Sequence, residues 1–513
     1  MRCLPLTAIY LLLSATAFAA IQEPVRLDTG LVSGIAGSSP GVRVFRGLPF
    51  AAPPTGNLRW RAPQPSPQWE GVRKADEFGP VCMQPAFRGA PPPRRSEDCL
   101  YLNVWTAAKS AADRRPVMVW IHPGGYNTGS GSSPAYDGDA LARRGVVLVT
   151  INYRLGVFGF FAHPELTAES DRRAAANFAF MDQIAALEWV QRNIAAFGGD
   201  PKRVTVFGDS AGSASISNLM GSPRAKGLFQ RAIGESGAWL GLSVAPVSTL
   251  ANAEETGTKL ASELGAHSLA ELRAKPAEEV LKAGRGTGPV IDGWFLPEDV
   301  GATFAEGKQN DVPLLVGSNQ DEGTFFLRPT TAEKFIERAR KRFGDRADTF
   351  LKLYPAANDE EANASQLAAF RDELGFVMRL WASAQAKTGK SKAYVYYFTH
   401  QPPAPAGASP RGAFGAGATH GAEAAYVFQN LAPPRAWTDL DHEVSDTLSS
   451  YWTNFAAHGD PNGKGLPKWA AFDASQNDRR MILGDQAEMG PSLSRDQIAF
   501  FEALYEKQHA SNP

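Results

Sequence analysis

This sequence has few cysteines, almost no net charge and few long apolar runs. Each of these features excludes a class of protein. Only three cysteines occur in 513 residues, which excludes a disulfide-rich scaffold, and none has metal-ligand spacing to another, which disfavours zinc. The formal net charge is −1 and no Lys/Arg run forms a basic patch, so nucleic acid is not an expected partner. After the N-terminus, no segment approaches about 18 uninterrupted apolar residues, so we expect no membrane span.

The N-terminus has the pattern of a secretory signal. A positively charged start, Met1-Arg2, is followed by an apolar stretch over residues 4–13 and by the small-x-small site Ala17-Phe18-Ala19. We therefore expect residues 1–19 to be a signal peptide, cleaved near Ala19/Ala20, and the protein to be secreted or periplasmic. The alternative is a buried N-terminal helix.

Two cysteines remain after removal of such a signal. Cys82 and Cys99 flank a proline-rich stretch, and in an exported protein two cysteines most simply form one disulfide. The chain-entropy model assigns such a bridge roughly 3 kcal/mol. The alternative is a pair of buried free thiols.

The remaining chain alternates strand and helix signals. Continuous apolar runs typical of buried strands occur at residues 117–121, 146–151, 203–207, 312–316 and 393–398, and residues 177–197 have apolar positions at helical spacing. This alternation predicts an α/β fold with a large, mostly parallel sheet covered by helices on both faces. Residues 25–105 contain short β-like pieces and many prolines, which favour antiparallel edge strands.

A candidate nucleophile lies where one of these predicted strands is followed by a predicted helix. Gly208-Asp209-Ser210-Ala211-Gly212 follows the run 203–207 and precedes small residues with helical spacing. Such a strand-turn-helix exposes the central hydroxyl, and its glycines avoid a collision between strand and helix. Gly37-Ser38-Ser39-Pro40-Gly41 has the same G-x-S-x-G pattern, but it lies in a proline-marked turn with no helix after it.

Serine needs a histidine base, and the base needs an acid that orients it. In this fold the three residues occur along the chain in the order Ser, then acid, then His. The acid is therefore expected after the strand ending near Gly317, where Asp321 and Glu322 are both chemically possible. The histidines that follow are His400, His420, His442, His458 and His509. His420 is best placed, between a Gly/Ala-rich loop and a helix-like segment.

The third component is a site for the oxyanion. His122-Pro123-Gly124-Gly125-Tyr126 follows the strand 117–121, and its glycines let backbone N–H groups point at a substrate oxygen. One such donor stabilises the transition state by roughly 3 kcal/mol. The rival interpretations are a tight turn and a phosphate loop. The second lacks its Gly-Lys-Ser/Thr, and the dinucleotide pattern G-x-G-x-x-G is absent.

Across residues 30–501 the chain resembles the type-B carboxylesterases, the cholinesterase-like branch of the α/β-hydrolases. The segments that carry the resemblance are residues 45–51, 96–104, 152–156, 193–200, 208–212, 321–323, 420–421 and 451–455. The resemblance implies an α/β-hydrolase fold in which residues 20–513 form a single domain.

The resemblance also implies roles for individual residues. Ser210 would be the nucleophile, His420 the general base and acid, and Glu322 rather than Asp321 the orienting acid. The oxyanion donors would be the backbone N–H groups of Gly124, Gly125 and Ala211, and Cys82 and Cys99 match the family's N-terminal disulfide. Ser236 resembles a family serine that supports the acid, although a role as a polar core residue is equally compatible with the sequence.

Three positions depart from the cholinesterase pattern. Asp209 precedes the nucleophile where cholinesterases carry Glu, and Pro123 replaces the first of three glycines. No tryptophan lies between Cys82 and Cys99, where cholinesterases place the indole that binds a quaternary ammonium. Choline esters are therefore not the expected substrates.

The sequence thus predicts an exported serine carboxylesterase that acts on small-molecule esters without a metal or cofactor. We expect activity to rise across roughly pH 6 to 7 as the imidazole loses its proton. The alternatives are a lipase or a polyester-, toxin- or aromatic-ester hydrolase of the same mechanism, and, more remotely, a non-catalytic binding protein. Trp239, Phe325 and Phe326 are candidate pocket walls, and the loop 402–418 is expected to border the site mouth.

Overall fold

The computed structural model describes residues 21–86, 94–240, 247–284, 286–405, 417–473 and 478–510, and side chains up to residue 507. The expected signal peptide, residues 1–19, lies outside the described residues. Residues 87–93, within the proline-rich stretch between the two cysteines, and residues 406–416, within the predicted loop 402–418, also lie outside the described residues.

Within these described ranges, short and long strands together form four sheets. In chain order they are β1 (Val25–Arg26), β2 (Leu31–Ser33), β3 (Ile35–Ala36), β4 (Arg43–Pro49), β5 (Val72–Lys74), β6 (Val81–Cys82), β7 (Arg95–Ser96), β8 (Tyr101–Thr106), β9 (Arg115–Ile121), β10 (Val147–Ile151), β11 (Gly199–Asp209), β12 (Arg231–Glu235), β13 (Ser248–Thr249), β14 (Val290–Ile291), β15 (Leu314–Asn319), β16 (Ala393–Phe398), β17 (Arg479–Leu483) and β18 (Ala487–Pro491).

The central sheet contains eleven strands in the order β18-β17-β16-β15-β12-β11-β9-β10-β8-β4-β3. In this order, the strands from β17 to β10 all run parallel to one another. The N-terminal strands β8, β4 and β3 continue the sheet antiparallel, and β18 closes the other edge antiparallel. The predicted fold class, a mostly parallel sheet with an antiparallel N-terminal edge, is therefore confirmed.

The helices connect these strands and cover the sheet. They are α1 (Asp139–Arg143), α2 (Gly156–Gly159), α3 (Pro164–Glu169), α4 (Phe178–Asn193), α5 (Ala211–Gly221), α6 (Leu250–Glu263), α7 (Leu269–Ala274), α8 (Ala277–Ala283), α9 (Val300–Ala305), α10 (Gly323–Phe326), α11 (Ala332–Phe343), α12 (Ala347–Leu353), α13 (Asp359–Thr388), α14 (Glu423–Val427), α15 (Asp439–His458) and α16 (Arg495–Ala510).

Strand β9 shows why the central strands are apolar at every position. Val117, Val119 and Ile121 pack into one hydrophobic cluster, whereas Met118 and Trp120 pack into a second one on the other side. Successive side chains of a strand point to opposite faces, so a sheet covered on both faces buries all of them. The carboxyl ends of the parallel strands β9, β11, β15 and β16 lie at one edge of this layer, and the segments that follow them carry the predicted site residues.

Candidate active site

Ser210 lies on a sharp turn between β11 and α5. Its backbone has φ 56° and ψ −118°, a left-handed conformation that costs a non-glycine residue free energy. A Cβ at Gly212 would come within 1.9 Å of the Ile121 carbonyl oxygen, and one at Gly208 within 2.5 Å of the same atom. The two glycines therefore let the turn pack directly against the end of β9.

The acid-histidine pair is formed by Glu322 and His420. Glu322 Oε2 lies 2.6 Å from His420 Nδ1, and the Glu322 side chain is fully buried. Its other oxygen, Oε1, accepts hydrogen bonds from Ser236 Oγ at 2.5 Å and from the Asn319 N–H at 2.8 Å. Ser236 therefore contacts the Glu322 carboxylate directly, a contact that the sequence alone left open.

His420 is oriented so that its other nitrogen is available. With Nδ1 bound to Glu322, Nε2 is buried and has no hydrogen-bond partner among the described residues. The adjacent Gly421 lies against Asp209, because a Cβ at Gly421 would approach Asp209 Oδ2 to 3.0 Å. The segment that carries the histidine thus packs on the turn that carries Ser210.

Asp321, the neighbour of Glu322, has a different role. Its Oδ2 accepts a hydrogen bond from the Ala418 N–H at 2.8 Å, and its own N–H donates to the Ala418 carbonyl at 2.9 Å. Asp321 therefore fixes the chain two residues before His420 and does not contact the imidazole in this arrangement.

The other candidate histidines lie elsewhere. His400 is held between Asp441 and Asp485, at 2.9 and 2.7 Å. His442 and His458 are exposed on α15, and the side chain of His509 is not among those described.

The glycine pair after β9 adopts backbone conformations that favour glycine. Gly124 has φ 120° and Gly125 has φ 60°, and a Cβ at Gly124 would come within 2.0 Å of the Thr128 carbonyl oxygen. We find no hydrogen bond from the N–H of Gly124 or Gly125 to any described residue. The Ala211 N–H lies at the first position of α5, where helical donors have no intrahelical acceptor.

Tyr126, which the sequence analysis did not assign, links three parts of the site. It follows Gly125 with φ 60°, and its hydroxyl accepts a hydrogen bond from Trp239 Nε1 at 3.0 Å. The same hydroxyl lies 3.5 Å from Ser215 Oγ, one turn into the helix that follows the nucleophile. Nothing local in the sequence indicates this contact, because positions 126, 215 and 239 meet only in the folded chain.

The centre of the site contains an unusual number of buried carboxyl groups. Besides Glu322, the side chains of Asp209, Glu235 and Glu423 are buried. Burial raises the pKa of Asp209 to about 6, and the charge of Glu322 adds to this while His420 opposes it. Burial, together with Asp209 and Glu322, raises the pKa of Glu423 to about 8. Burial also raises the pKa of Glu235 well above its usual range.

These carboxyl groups change the expected titration of the histidine. Burial alone lowers the pKa of His420, but Asp209, Glu322 and Glu423 together outweigh that effect and raise the pKa to about 9. The rise of activity with pH is therefore expected above the window of pH 6 to 7 that an unperturbed imidazole suggests.

Two phenyl rings form one wall beside the histidine. The centroids of Phe325 and Phe326 lie 5.7 and 4.7 Å from that of His420. Phe326 is 45% exposed, so this wall is partly open to solvent.

Within the described ranges, no cluster of three or more His, Cys, Asp or Glu side chains is arranged to hold a metal ion. None of the helices found there combines the length and the apolar character needed to cross a bilayer.

The chain matches known proteins over almost its entire length. A family model described as "Carboxylesterase family" matches residues 22–501. Fumonisin B1 esterase of Sphingopyxis macrogoltabida is 38% identical over 491 residues, covering 91% of this chain and 87% of that protein. Para-nitrobenzyl esterase of Bacillus subtilis is 36% identical over 463 residues, covering 84% of this chain and 89% of that protein.

Solved structures agree with the architecture. A PNB esterase structure superposes with a TM-score of 0.79 at 34% sequence identity, covering 93% of this chain and 99% of that chain.

Proposed function

The chain belongs to the carboxylesterase family of ester hydrolases, and on this premise we propose that Ser210, His420 and Glu322 form its catalytic triad. The observation that carries the proposal is the 2.6 Å contact between Glu322 and His420 Nδ1, which leaves the buried Nε2 without a hydrogen-bond partner among the described residues. Glu322 in turn is held by Ser236 and the Asn319 N–H.

The proposed reaction has two steps. In the first, Ser210 Oγ attacks the ester carbonyl and transfers its proton to His420 Nε2, and the imidazolium then protonates the leaving alkoxide. In the second, a water molecule gives a proton to His420 and attacks the acyl-enzyme, and His420 then passes that proton to Ser210 Oγ as the acid is released. The charge on the carbonyl oxygen in both steps would be stabilised by the N–H groups of Gly124, Gly125 and Ala211.

Removal of the nucleophile tests this assignment. We expect Ser210→Ala to lower kcat for a p-nitrophenyl ester by about 10⁴- to 10⁶-fold, because triad residues act as a unit. A fluorophosphonate probe should label the wild type and leave the variant unlabelled. Ser213→Ala, three residues further along the chain on α5, is the matched control and should still be labelled. Wild-type turnover in the Ser210 variant would refute the nucleophile.

The same probe separates an enzyme from a binding protein with this fold. A protein that retains the fold without catalysis would stay unlabelled in its wild-type form. The arrangement of Glu322, His420 and the turn at Ser210 favours the enzyme.

A toxin-ester hydrolase is the alternative that one comparison favours. The relative named fumonisin B1 esterase is matched over most of its length, so its named substrate belongs in a panel with short-chain, long-chain and aryl esters. An emulsified long-chain ester in the same panel tests for a lipase.

We also propose that the protein is exported to an oxidising compartment, as a secreted or periplasmic enzyme. The signal-like residues 1–19 support this, as does the disulfide between Cys82 and Cys99. Mass spectrometry of the mature N-terminus should find cleavage near Ala19/Ala20.

A further inference from the structure

A cavity of about 200 Å³ lies beside the proposed active site, between α11, α12 and α13. Its walls are mainly apolar and include the rings of Phe335, Phe343, Phe350 and Phe370. An apolar cavity of about 150 Å³ in another protein binds benzene, so this space can hold an aromatic ring or a short aliphatic chain. Apolar walls of this kind disfavour a polyol or a sugar, whose hydroxyl groups would lose their hydrogen bonds to water.

The charged residues that line the cavity are two arginines and one glutamate, Glu373, so its rim carries a net positive charge. Arg338 and Arg342 lie one turn apart on α11, and both line the cavity. Arg342 pairs with Glu373 at 2.5 Å. Arg338 donates only to uncharged oxygens, including Thr330 Oγ1 at 2.7 Å and the Lys334 carbonyl at 3.2 Å, and it forms no ion pair within the part of the chain that the structure describes. A guanidinium keeps its charge at any physiological pH, so Arg338 offers an unneutralised cation at an apolar cavity.

An aromatic surface connects the cavity to the catalytic histidine. The Phe326 ring lies 4.7 Å from that of His420 and 5.3 Å from that of Phe370, which lines the cavity. Leu327, the next residue along the chain, also lines it. An extended ligand could therefore run from His420 across Phe326 into the cavity while remaining in contact with apolar side chains.

We propose that this cavity binds the far end of an elongated ester, an apolar segment that ends in a carboxylate, with Arg338 as the counterion. The proposal rests on the esterase function proposed above and adds to it a substrate class. The cationic rim disfavours an ester that ends in an ammonium group. A free aliphatic carboxylate of suitable length should occupy the same cavity, because it carries the same two recognition elements.

Calorimetric titration tests the binding site without any requirement for catalysis. The ligands are octanoate and its neutral isostere octanamide. We expect octanoate to bind the wild type and Arg338→Gln to weaken octanoate binding by about 3- to 10-fold while leaving octanamide unchanged, as a partly exposed charge-assisted contact predicts. Arg340→Gln is the matched control: Arg340 is exposed on the same helix but about 200° away around its axis, so its loss should not change octanoate binding.

A second variant tests the position of the site. Ala339→Trp fills the cavity from α11 and should abolish binding of both ligands. If this variant fails to fold, the comparison of the Arg338 and Arg340 variants still decides the question. Equal octanoate affinity in the Arg338→Gln variant and the wild type would overturn the proposal.

Kinetics connect the cavity to the substrate. For p-nitrophenyl 8-carboxyoctanoate we expect Arg338→Gln to raise KM about 3- to 10-fold with kcat unchanged, whereas p-nitrophenyl acetate, which is too short to reach the cavity, should be unaffected. An equal effect on both esters would overturn the proposed substrate class. Arg338-dependent octanoate binding in a protein that hydrolyses no ester would instead refute the esterase function and leave the anion site standing.

Discussion

At the scale of single residues, Asp209 is a buried charge that influences the acid–base behaviour of the site. It is buried next to Ser210, the proposed nucleophile, and its Oδ1 has no hydrogen-bond partner among the described residues. Burial lowers the pKa of His420, and Asp209 is the strongest of the charges that raise it to about 9. The Asp209 side chain is shorter than the Glu that cholinesterases carry at this position, yet its charge still raises the pKa of the imidazole.

Replacement of Asp209 tests this influence. The base must be neutral to accept a proton, so the acid limb of kcat/KM should lie above the imidazole reference of about 6.5 in the wild type. We expect Asp209→Asn to move that limb to lower pH, since it removes a negative charge that stabilises the imidazolium. The measurement is kcat/KM against pH at constant ionic strength. Asp209→Glu keeps the charge and should keep the limb high, whereas an unshifted limb in the Asn variant would contradict the assignment.

The sequence could predict much of the candidate site but not the details of its geometry. Ser210 and His420 follow from motif context and chain order. Asp321 and Glu322 are adjacent and chemically equivalent in sequence, so only the resemblance distinguished them. In the fold, Ser236 and the Asn319 N–H hold the Glu322 carboxylate toward the imidazole, and contacts between residues so far apart in sequence have no local signature.

At the scale of secondary structure elements, a buried ion pair holds a loop that contacts the segment of the proposed oxyanion glycines. Arg154, which follows β10, donates from Nε and Nη2 to Asp182 on α4 at 2.7 and 2.6 Å. Both side chains are almost fully buried. Two residues further on, the Gly156 N–H donates to the Tyr126 carbonyl at 2.6 Å, so the ion pair and the oxyanion loop belong to one hydrogen-bonded unit.

Loss of one partner of this pair should be strongly destabilising. Asp182→Leu leaves the Arg154 guanidinium buried without a counterion, which costs about 3–5 kcal/mol. We expect a clear fall in the urea midpoint, measured by far-UV circular dichroism. The double variant Arg154→Met/Asp182→Leu should recover most of the loss because no uncompensated charge remains.

The control for this experiment is an exposed ion pair. Arg192 and Asp28 are about half and one-third exposed, so Asp28→Asn should change stability by no more than about 1 kcal/mol. Equal midpoints for the Asp182 and Asp28 variants would show that burial of the first pair has no energetic consequence.

Strand ends were harder to predict than strand positions. The apolar run 312–316 suggested a strand over those residues, but β15 begins at Leu314 and continues to Asn319. Pro313 lacks the N–H that a ladder needs. Gly317, Ser318 and Asn319 have low strand propensity, yet they pair in register with Tyr396, Tyr397 and Phe398 of β16. Pairing with β16 overrides the low strand propensity of these residues, and the strand therefore extends to the loop that contains Glu322.

At the scale of the whole molecule, the sheet order is the part of the fold that sequence pattern does not specify. Alternating strands and helices predict a parallel sheet, and that prediction is confirmed. The pattern does not reveal that β10 lies between β8 and β9, antiparallel to one and parallel to the other. That arrangement arises when the chain crosses over after β9, and it joins the antiparallel N-terminal edge to the parallel sheet.

The disulfide between Cys82 and Cys99 closes a loop against this N-terminal edge and should stabilise the folded chain as a whole. The two residues are separated by 17 positions and are both buried, and a closed loop of this length restricts the unfolded chain by about 3 kcal/mol in the entropy model. We expect Cys82→Ala/Cys99→Ala to lower the midpoint of urea unfolding while esterase activity at 25 °C is retained, because neither cysteine contacts the proposed triad. Reduction of the wild type with dithiothreitol should produce the same shift, and the double variant should be insensitive to the reductant. If the oxidised wild type and the variant unfold at the same urea concentration, the bridge does not constrain the unfolded chain, and the stability of this edge must come from packing alone.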